Sequence, residues 1–253
     1  MKIIVSPAKS MDLSSSIPNV NITQPHFLNE ASVLNKVLKK KSVKEISSLM
    51  GLSENLSKLN WERNQKFKTP FNLSNSRPAV YTFNGDVYSG LNPTSISDDK
   101  LISLQNNLRI ISGLYGILRP FDLIQPYRLE MSTKLQVGKS KNLYEFWKNK
   151  LTNQVKDELK NDDLLVNLAS KEYFSAIDFK SISNKIITPQ FKDFKNGTLK
   201  IISFFAKKAR GMMSRYLIEN NVKTIQDLLH FSVDGYTFSM EETINQNEPV
   251  FIR

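Results

Sequence analysis

Ser112-Gly113-Leu114-Tyr115-Gly116-Ile117-Leu118-Arg119-Pro120-Phe121-Asp122-Leu123-Ile124-Gln125-Pro126-Tyr127-Arg128-Leu129-Glu130-Met131 combines glycine, proline, tyrosine, arginine and carboxylates in a mixture that a plain core segment does not need. The apolar run in front of it, Leu108 to Ile111, reads as a buried strand that feeds the Ser112-Gly113-Leu114-Tyr115-Gly116 turn. Pro120 bars a regular helix from continuing past Arg119, because proline lacks the N–H and clashes with the preceding turn. Beyond Pro126, alternation puts Arg128 and Glu130 on one face and Tyr127, Leu129 and Met131 on the other.

Working outward, short apolar runs alternate with amphipathic helical stretches, the pattern of a mixed α/β (α+β) fold. Further strands are expected at Lys2 to Val5, Ala79 to Phe83, Leu164 to Leu168 and Lys200 to Ser203. Asn84-Gly85, between Tyr81-Thr82-Phe83 and Asp86-Val87-Tyr88, carries the signal of a tight hairpin. The ten prolines are scattered and no low-complexity linker breaks the chain. We therefore expect one compact domain over residues 1–253, a mixed β-sheet with surrounding helices. Several strands end in small or polar turns, Ser6-Pro7-Ala8-Lys9, Ser112-Gly113 and Ala169-Ser170-Lys171, and ligand sites in such sheets gather at the carboxyl ends of strands.

Composition narrows the function. The chain has no cysteine, which excludes disulfides, thiolate nucleophiles and thiolate metal sites. His26 and His230 are far apart and out of metal-ligand spacing, and the carboxylates leave Mg²⁺ or Ca²⁺ possible without a pattern that demands either, so no metal site and no cofactor are expected. No Walker A, Gly-x-Gly-x-x-Gly or Gly-x-Ser-x-Gly sequence occurs. No apolar stretch reaches the roughly 18 residues of a membrane span, and the short N-terminal run reads as a strand, not a signal peptide. A cytoplasmic protein without membrane contact, favoured as a monomer, is expected. The net charge of +11 suits a polyanionic partner, although scattered lysines are also an ordinary solvated surface. Arginine is scarcer, and Arg109, Arg119, Arg128, Arg210 and Arg215 fall in or beside two motifs, where a bidentate donor suits phosphate or carboxylate.

Two segments have the form of anion-binding elements. Ser42 to Asn60 reads as helix, tight turn, helix: Ser42 and Glu45 have capping-box spacing, Gly51 ends the first helix and Ser53 opens the second. It resembles a helix-hairpin-helix, whose glycine turn presents backbone N–H groups to a phosphate; a plain αα-hairpin looks the same. Ser203 to Ile218, placed on a helix, separates Phe205, Ala206, Ala209, Met212, Met213, Tyr216 and Leu217 from Lys207, Lys208, Arg210, Gly211, Ser214 and Arg215. A helix-interior glycine costs about 1 kcal/mol relative to alanine, so Gly211 implies a close approach to the backbone, by a phosphate or by a neighbouring element. Asn167-Leu168-Ala169-Ser170-Lys171-Glu172-Tyr173 offers Asn167 and Ser170 as hydrogen-bonding groups and Tyr173 as a ring or hydroxyl. Ser170 as a helix cap is the simpler alternative.

The Ser6-Pro7-Ala8-Lys9 start, the run Phe83-Asn84-Gly85-Asp86-Val87-Tyr88-Ser89-Gly90-Leu91, the opening block and the basic helix together resemble the YaaA family, peroxide-stress proteins whose members bind DNA. The resemblance extends over nearly the whole chain. It implies a cantaloupe-type fold with a helix-hairpin-helix, here at about residues 42–67, and a positively charged cleft. It also implies duplex DNA binding and survival of hydrogen peroxide through lower unincorporated iron. With no Cys and no clustered His, direct iron chelation fits this chain poorly.

The first expectation is thus a protein that binds double-stranded DNA or another nucleic acid, with Gly51, Arg119, Lys207, Lys208, Arg210, Gly211 and Arg215 at the anion. The alternative is an enzyme acting on a nucleobase or phosphate-bearing substrate in a basic cleft, with Lys9, Asp86, Tyr115, Arg128, Glu130 and Lys207 as candidate catalytic groups and Ser6, Tyr88, Asn167, Ser170 and Tyr173 as polar lining. A third is a small-anion binder. Convergence of these residues on one pocket favours chemistry, and dispersal over a convex surface favours binding alone.

Overall fold

The buried strand Lys2–Val5 is the middle of the structure, a computed structural model that describes residues 1–161 and 163–253. Ile3, Ile4 and Val5 are fully buried, as a strand covered on both faces must be. It pairs in parallel with Leu108–Ser112 on one side and Leu165–Leu168 on the other. Ile186–Ile187 extends the sheet in parallel and Gly116–Leu118 closes the opposite edge antiparallel. The fold is mixed α/β, with helices around this sheet and one apolar cluster running through it.

A second sheet carries the C-terminus. Gln190–Lys195 pairs in parallel with Val250–Ile252, which pairs antiparallel with Thr237–Ser239. Arg253, just past the last strand, bonds Asp193 and Asp234 and lies over the rings of Phe205 and Tyr236. Phe205 is therefore a partly exposed lid under Arg253, not a member of the core stripe as its helical position suggested.

The expected strands at Lys2 to Val5, Leu108 to Ile111 and Leu164 to Leu168 are present to within a residue. Ala79 to Phe83 is a correction. Ala79–Thr82 is a buried helical turn, because Pro78 sets its start and the Ala79 and Val80 N–H groups donate to the carbonyls of Asp122 and Pro120. A local preference for β structure yielded to these tertiary bonds.

The Asn84-Gly85 hairpin is a second correction. Phe83–Asn84 pairs with Ser10–Met11, Gly85 is extended, and Asp86–Leu91 is a helix. The Asn-Gly hairpin of this chain lies at Asn196-Gly197, where both residues have positive φ and join Gln190–Lys195 to Thr198–Lys200. Lys200 to Ser203 is accordingly shifted: the strand stops at Lys200 and Ser203 starts a long helix.

That helix, Ser203–Glu219, crosses Asp86–Leu91 at two glycines. A Cβ on Gly211 would strike the Val87 carbonyl oxygen, and one on Gly90 would strike the Lys208 carbonyl oxygen. The close approach inferred for Gly211 is made by a helix. Gly211 and Ser214, expected on the basic face, are buried in this contact.

Two outcomes follow from this packing. Alanine at an open helical site would stabilise by about 1 kcal/mol; here Gly211→Ala and Gly90→Ala should each destabilise by about 2–3 kcal/mol through overpacking, read as a lower urea midpoint. The second concerns buried Arg109, whose Nε donates to Glu158 at 2.6 Å with Lys2 at 3.5 Å. Burial raises the Glu158 carboxyl, but Arg109, Gln154 and Lys2 outweigh it and hold it below 4.5. A depressed carboxyl stabilises the fold above its unfolded pKa and loses that contribution as pH falls. Glu158→Gln should therefore cost about 3 kcal/mol at neutral pH, with the gap to the parent closing below pH 4.5.

Candidate functional site

Three parallel strands end on the same side, and their turns build the site. Ser6 to Lys9 leaves the central strand and Ala169-Ser170 leaves its neighbour, so Ser170 N–H donates to Ser6 Oγ at 2.8 Å. Tyr88 reaches over from its short helix and donates to the Ser6 carbonyl at 3.1 Å. Gly113, after the third strand, admits the backbone of Leu129 and Glu130 against it, since a Cβ there would strike the Leu129 carbonyl. This brings Arg128 and Glu130 beside Lys9: Arg128 Nε lies 3.0 Å and Lys9 Nζ 3.7 Å from Glu130 Oε1.

The result is a cleft in two lobes. One, of about 430 Å³, is bordered by Ser6, Lys9, Asp86, Tyr88, Ser170, Tyr173, Lys207 and Arg210. The other, of about 570 Å³, is bordered by Lys9, Gly51, Arg128, Glu130, Ser132 and Lys134. Lys9 is common to both. Glu172, in the first lobe, accepts from the N–H and hydroxyl of Ser132 in the second. Glu172, Ser132 and Lys134 had no role in the sequence reading, for loop contacts between residues 40 positions apart leave no local pattern.

The first lobe has a distinctive charge arrangement. Lys207 and Arg210, on the helix that crosses at Gly211, border the same lobe as Asp86, yet none of the three makes an ion pair or side-chain hydrogen bond among the described residues. Arg210 is half-buried, and burial alone pulls its guanidinium below the ordinary value. A desolvated guanidinium without a partner is costly, and an arriving oxyanion removes that cost. Tyr88 and Tyr173 remain protonated, because burial first and neighbouring phenols second push both well up.

Most of the other expected site residues make contacts away from the two lobes, and Ser170 stays at the first. Arg215 bonds the carbonyls of Leu91, Asn92 and Ser95, capping the Asp86–Leu91 helix, and pairs with Glu219. Lys208 lies 3.6 Å from Asp234. Arg119 pairs with buried Asp122 and bonds the Gln24 carbonyl, away from both lobes. Tyr115 is fully buried, its hydroxyl donating to the Gln125 carbonyl and accepting from the Gln125 N–H. Asn167 is buried and accepts from Ala169 N–H, shaping the turn beneath the site. Ser170 precedes the Lys171–Phe174 turn without capping it through its side chain.

Gly51 is left-handed, with φ of 62°, between Val43–Met50 and Glu54–Lys66, and Ser42 and Glu45 form the capping box. Gly51 faces the second lobe with open space where a Cβ would stand. A wider hollow of about 630 Å³ at the far end of this hairpin has Lys39, Arg63, Lys66 and Lys68 on its wall. Its cations gather at the last turns of two helices, where they complement carbonyl ends that repel an anion.

Comparison with known proteins gives the family. Residues 1–242 match the family model described as peroxide stress protein YaaA. A UPF0246 protein of Flavobacterium johnsoniae is 58% identical over 238 residues, 94% of each chain. One from Alteromonas mediterranea is 50% identical over 255 residues, covering 100% of this chain and 98% of its own. One from Pseudoalteromonas translucida is 48% identical over 252 residues, 99% and 97% of the two chains. From a matching family model and relatives that share almost its full length, the chain belongs to the peroxide stress protein YaaA family.

Proposed function

We propose that this member of a peroxide-stress family binds nucleic acid, duplex DNA foremost, along its two-lobed cleft, as a cytoplasmic monomer. The observation that carries the reading is Arg210: a half-buried guanidinium whose side chain has no partner among the described residues, beside a Lys207 that likewise has none among them. A net charge of +11 raises the local concentration of a polyanion. The Gly51 hairpin borders the other lobe as a helix-hairpin-helix would, its open turn free to approach a phosphate. The phosphate contacts are assigned to Lys9, Lys207, Arg210 and the hairpin, and Lys208, Arg119, Gly211 and Arg215 are withdrawn from them because their bonds and packing are internal. A lower level of unincorporated iron is assigned to an indirect route, since the chain has no thiolate and only two separated histidines.

A second reading, an enzyme acting on a nucleobase or a phosphate-bearing group, draws on the convergence of Asp86, Lys207 and Arg210 in one lobe and of Arg128, Glu130 and Lys9 in the next. Their meeting in a concave site, not on a convex surface, is what general acid–base chemistry requires.

Neutralising Lys9, Lys207 and Arg210 together should weaken duplex binding and reduce the slope of log affinity against log salt by about 0.9 per contact, about 2.7 in all. Fluorescence anisotropy over a salt series reads this, and an unchanged slope rejects the assignment. Lys208→Gln with Arg215→Gln should leave the slope as it is. For the enzymatic reading, base or phosphate release from DNA should be lost in Asp86→Asn; no release from any DNA by the parent chain leaves binding alone.

A further inference from the structure

We infer that the lobe between Asp86 and Arg210 is a site for a single nucleotide, with its phosphate on Lys207 and Arg210 and the N–H edge of its base on the Asp86 carboxylate. This rests on the reading of the cleft as a nucleic-acid site and names what enters it.

Charges of opposite sign border this lobe without pairing. Lys207 and Arg210 stand on one helix, Asp86 on the helix crossing it, and all three border the same lobe. None forms an ion pair with another or with any described residue, whereas each of the other arginines has at least one protein partner: Arg63 bonds Asn60, Arg77 the Ser15 carbonyl, and the remaining five are paired with carboxylates. The two helices are in direct backbone contact at Gly90 and Gly211. A ligand that satisfies both sides has an oxyanion at one end and N–H donors at the other.

Competing ligands fail on charge or reach. Inorganic phosphate meets the cations and leaves Asp86 alone. A divalent cation meets Asp86 but faces two unpaired cations. Lys207 and Arg210 suit an oxyanion, while Asp86, beside a Glu172 already engaged by Ser132, suits N–H donors, so a ligand with both ends fits the lobe best. The lobe of about 430 Å³ lies in the range of pockets that enclose ligands of nucleotide size. Tyr88 and Tyr173, held neutral, put rings on its wall.

The carboxylate also discriminates among bases. Guanine presents N1–H and N2–H side by side, a match for two carboxylate oxygens. Thymine has one N–H between two carbonyl oxygens, which a carboxylate repels. In a duplex that guanine edge is paired, so occupancy by DNA requires an unstacked nucleotide, the manner in which base-reading proteins reach a Watson–Crick edge.

Isothermal titration calorimetry with dGMP, dTMP and inorganic phosphate on the full chain tests this. The expected result is dGMP binding about tenfold tighter than dTMP, the discrimination of one bidentate contact, and tighter than inorganic phosphate. Arg210→Ala should weaken dGMP at least tenfold and Arg210→Lys should restore part of it, separating loss of a contact from misfolding. Asp86→Asn should abolish the preference for dGMP over dTMP while phosphate binding persists. The proposal is overturned if dGMP binds no better than phosphate, or if Asp86→Asn keeps the base preference. Duplex binding measured on the same preparation distinguishes the two readings. DNA bound normally without nucleotide binding sinks the nucleotide site alone, and absence of both sinks the cleft reading with it.

Discussion

The crossing of Asp86–Leu91 and Ser203–Glu219 at Gly90 and Gly211 is the contact on which the site depends. Each glycine lies against a carbonyl of the opposite helix, so the axes approach more closely than any side chain allows. This fixes the rotation of the long helix, buries Met212, Met213 and Leu217 in the core, and leaves Lys207 and Arg210 facing the strand ends. Arg215 secures the same junction by bonding the carbonyls that end the short helix. A helix-interior glycine is thus stabilising here, because the packing it permits outweighs its intrinsic cost.

The economy of charge explains why so basic a chain has so confined a candidate site. Arg109 and Lys2 share Glu158, Arg119 pairs with Asp122, and Arg253 with Asp193 and Asp234. These pairs join strand ends, loops and the C-terminus, and their charge is spent within the protein. In the first lobe Lys207 and Arg210 make no ion pair among the described residues, with Asp86 bordering the same space. Counting basic residues along the helix does not separate the two populations, since Lys208 and Arg215 differ from Lys207 and Arg210 only in what lies across from them.

Much of the architecture was legible because it rests on local rules. The buried strands at 2–5, 108–111 and 164–168 announced themselves by apolar runs ending in polar turns. The Ser42 and Glu45 box and the left-handed Gly51 followed from capping chemistry. The alternation of Arg128 and Glu130 against Tyr127, Leu129 and Met131 holds in burial, although the segment is not a strand. At Ala79–Thr82 and Asn84-Gly85 local signals compete with distant bonds, and the distant bonds win. Asn84-Gly85 and Asn196-Gly197 carry the same dipeptide, but only the second is flanked by strands that pair with each other; Phe83–Asn84 pairs with Ser10–Met11.

By itself the sequence determined the family, the mixed α/β class, the central strands and the residue types that border the cleft, because hydrophobic period, turn chemistry and composition act over a few positions. Only the tertiary structure decided which of those residues meet. Tyr115 went to the core and Arg119 to Asp122, while Ser6, Lys9, Asp86, Ser170, Lys207 and Arg210, scattered along the chain, came to border one lobe. The reason is that parallel pairing joins strand ends far apart in sequence, and the close helix crossing sets a rotation that no single helix encodes.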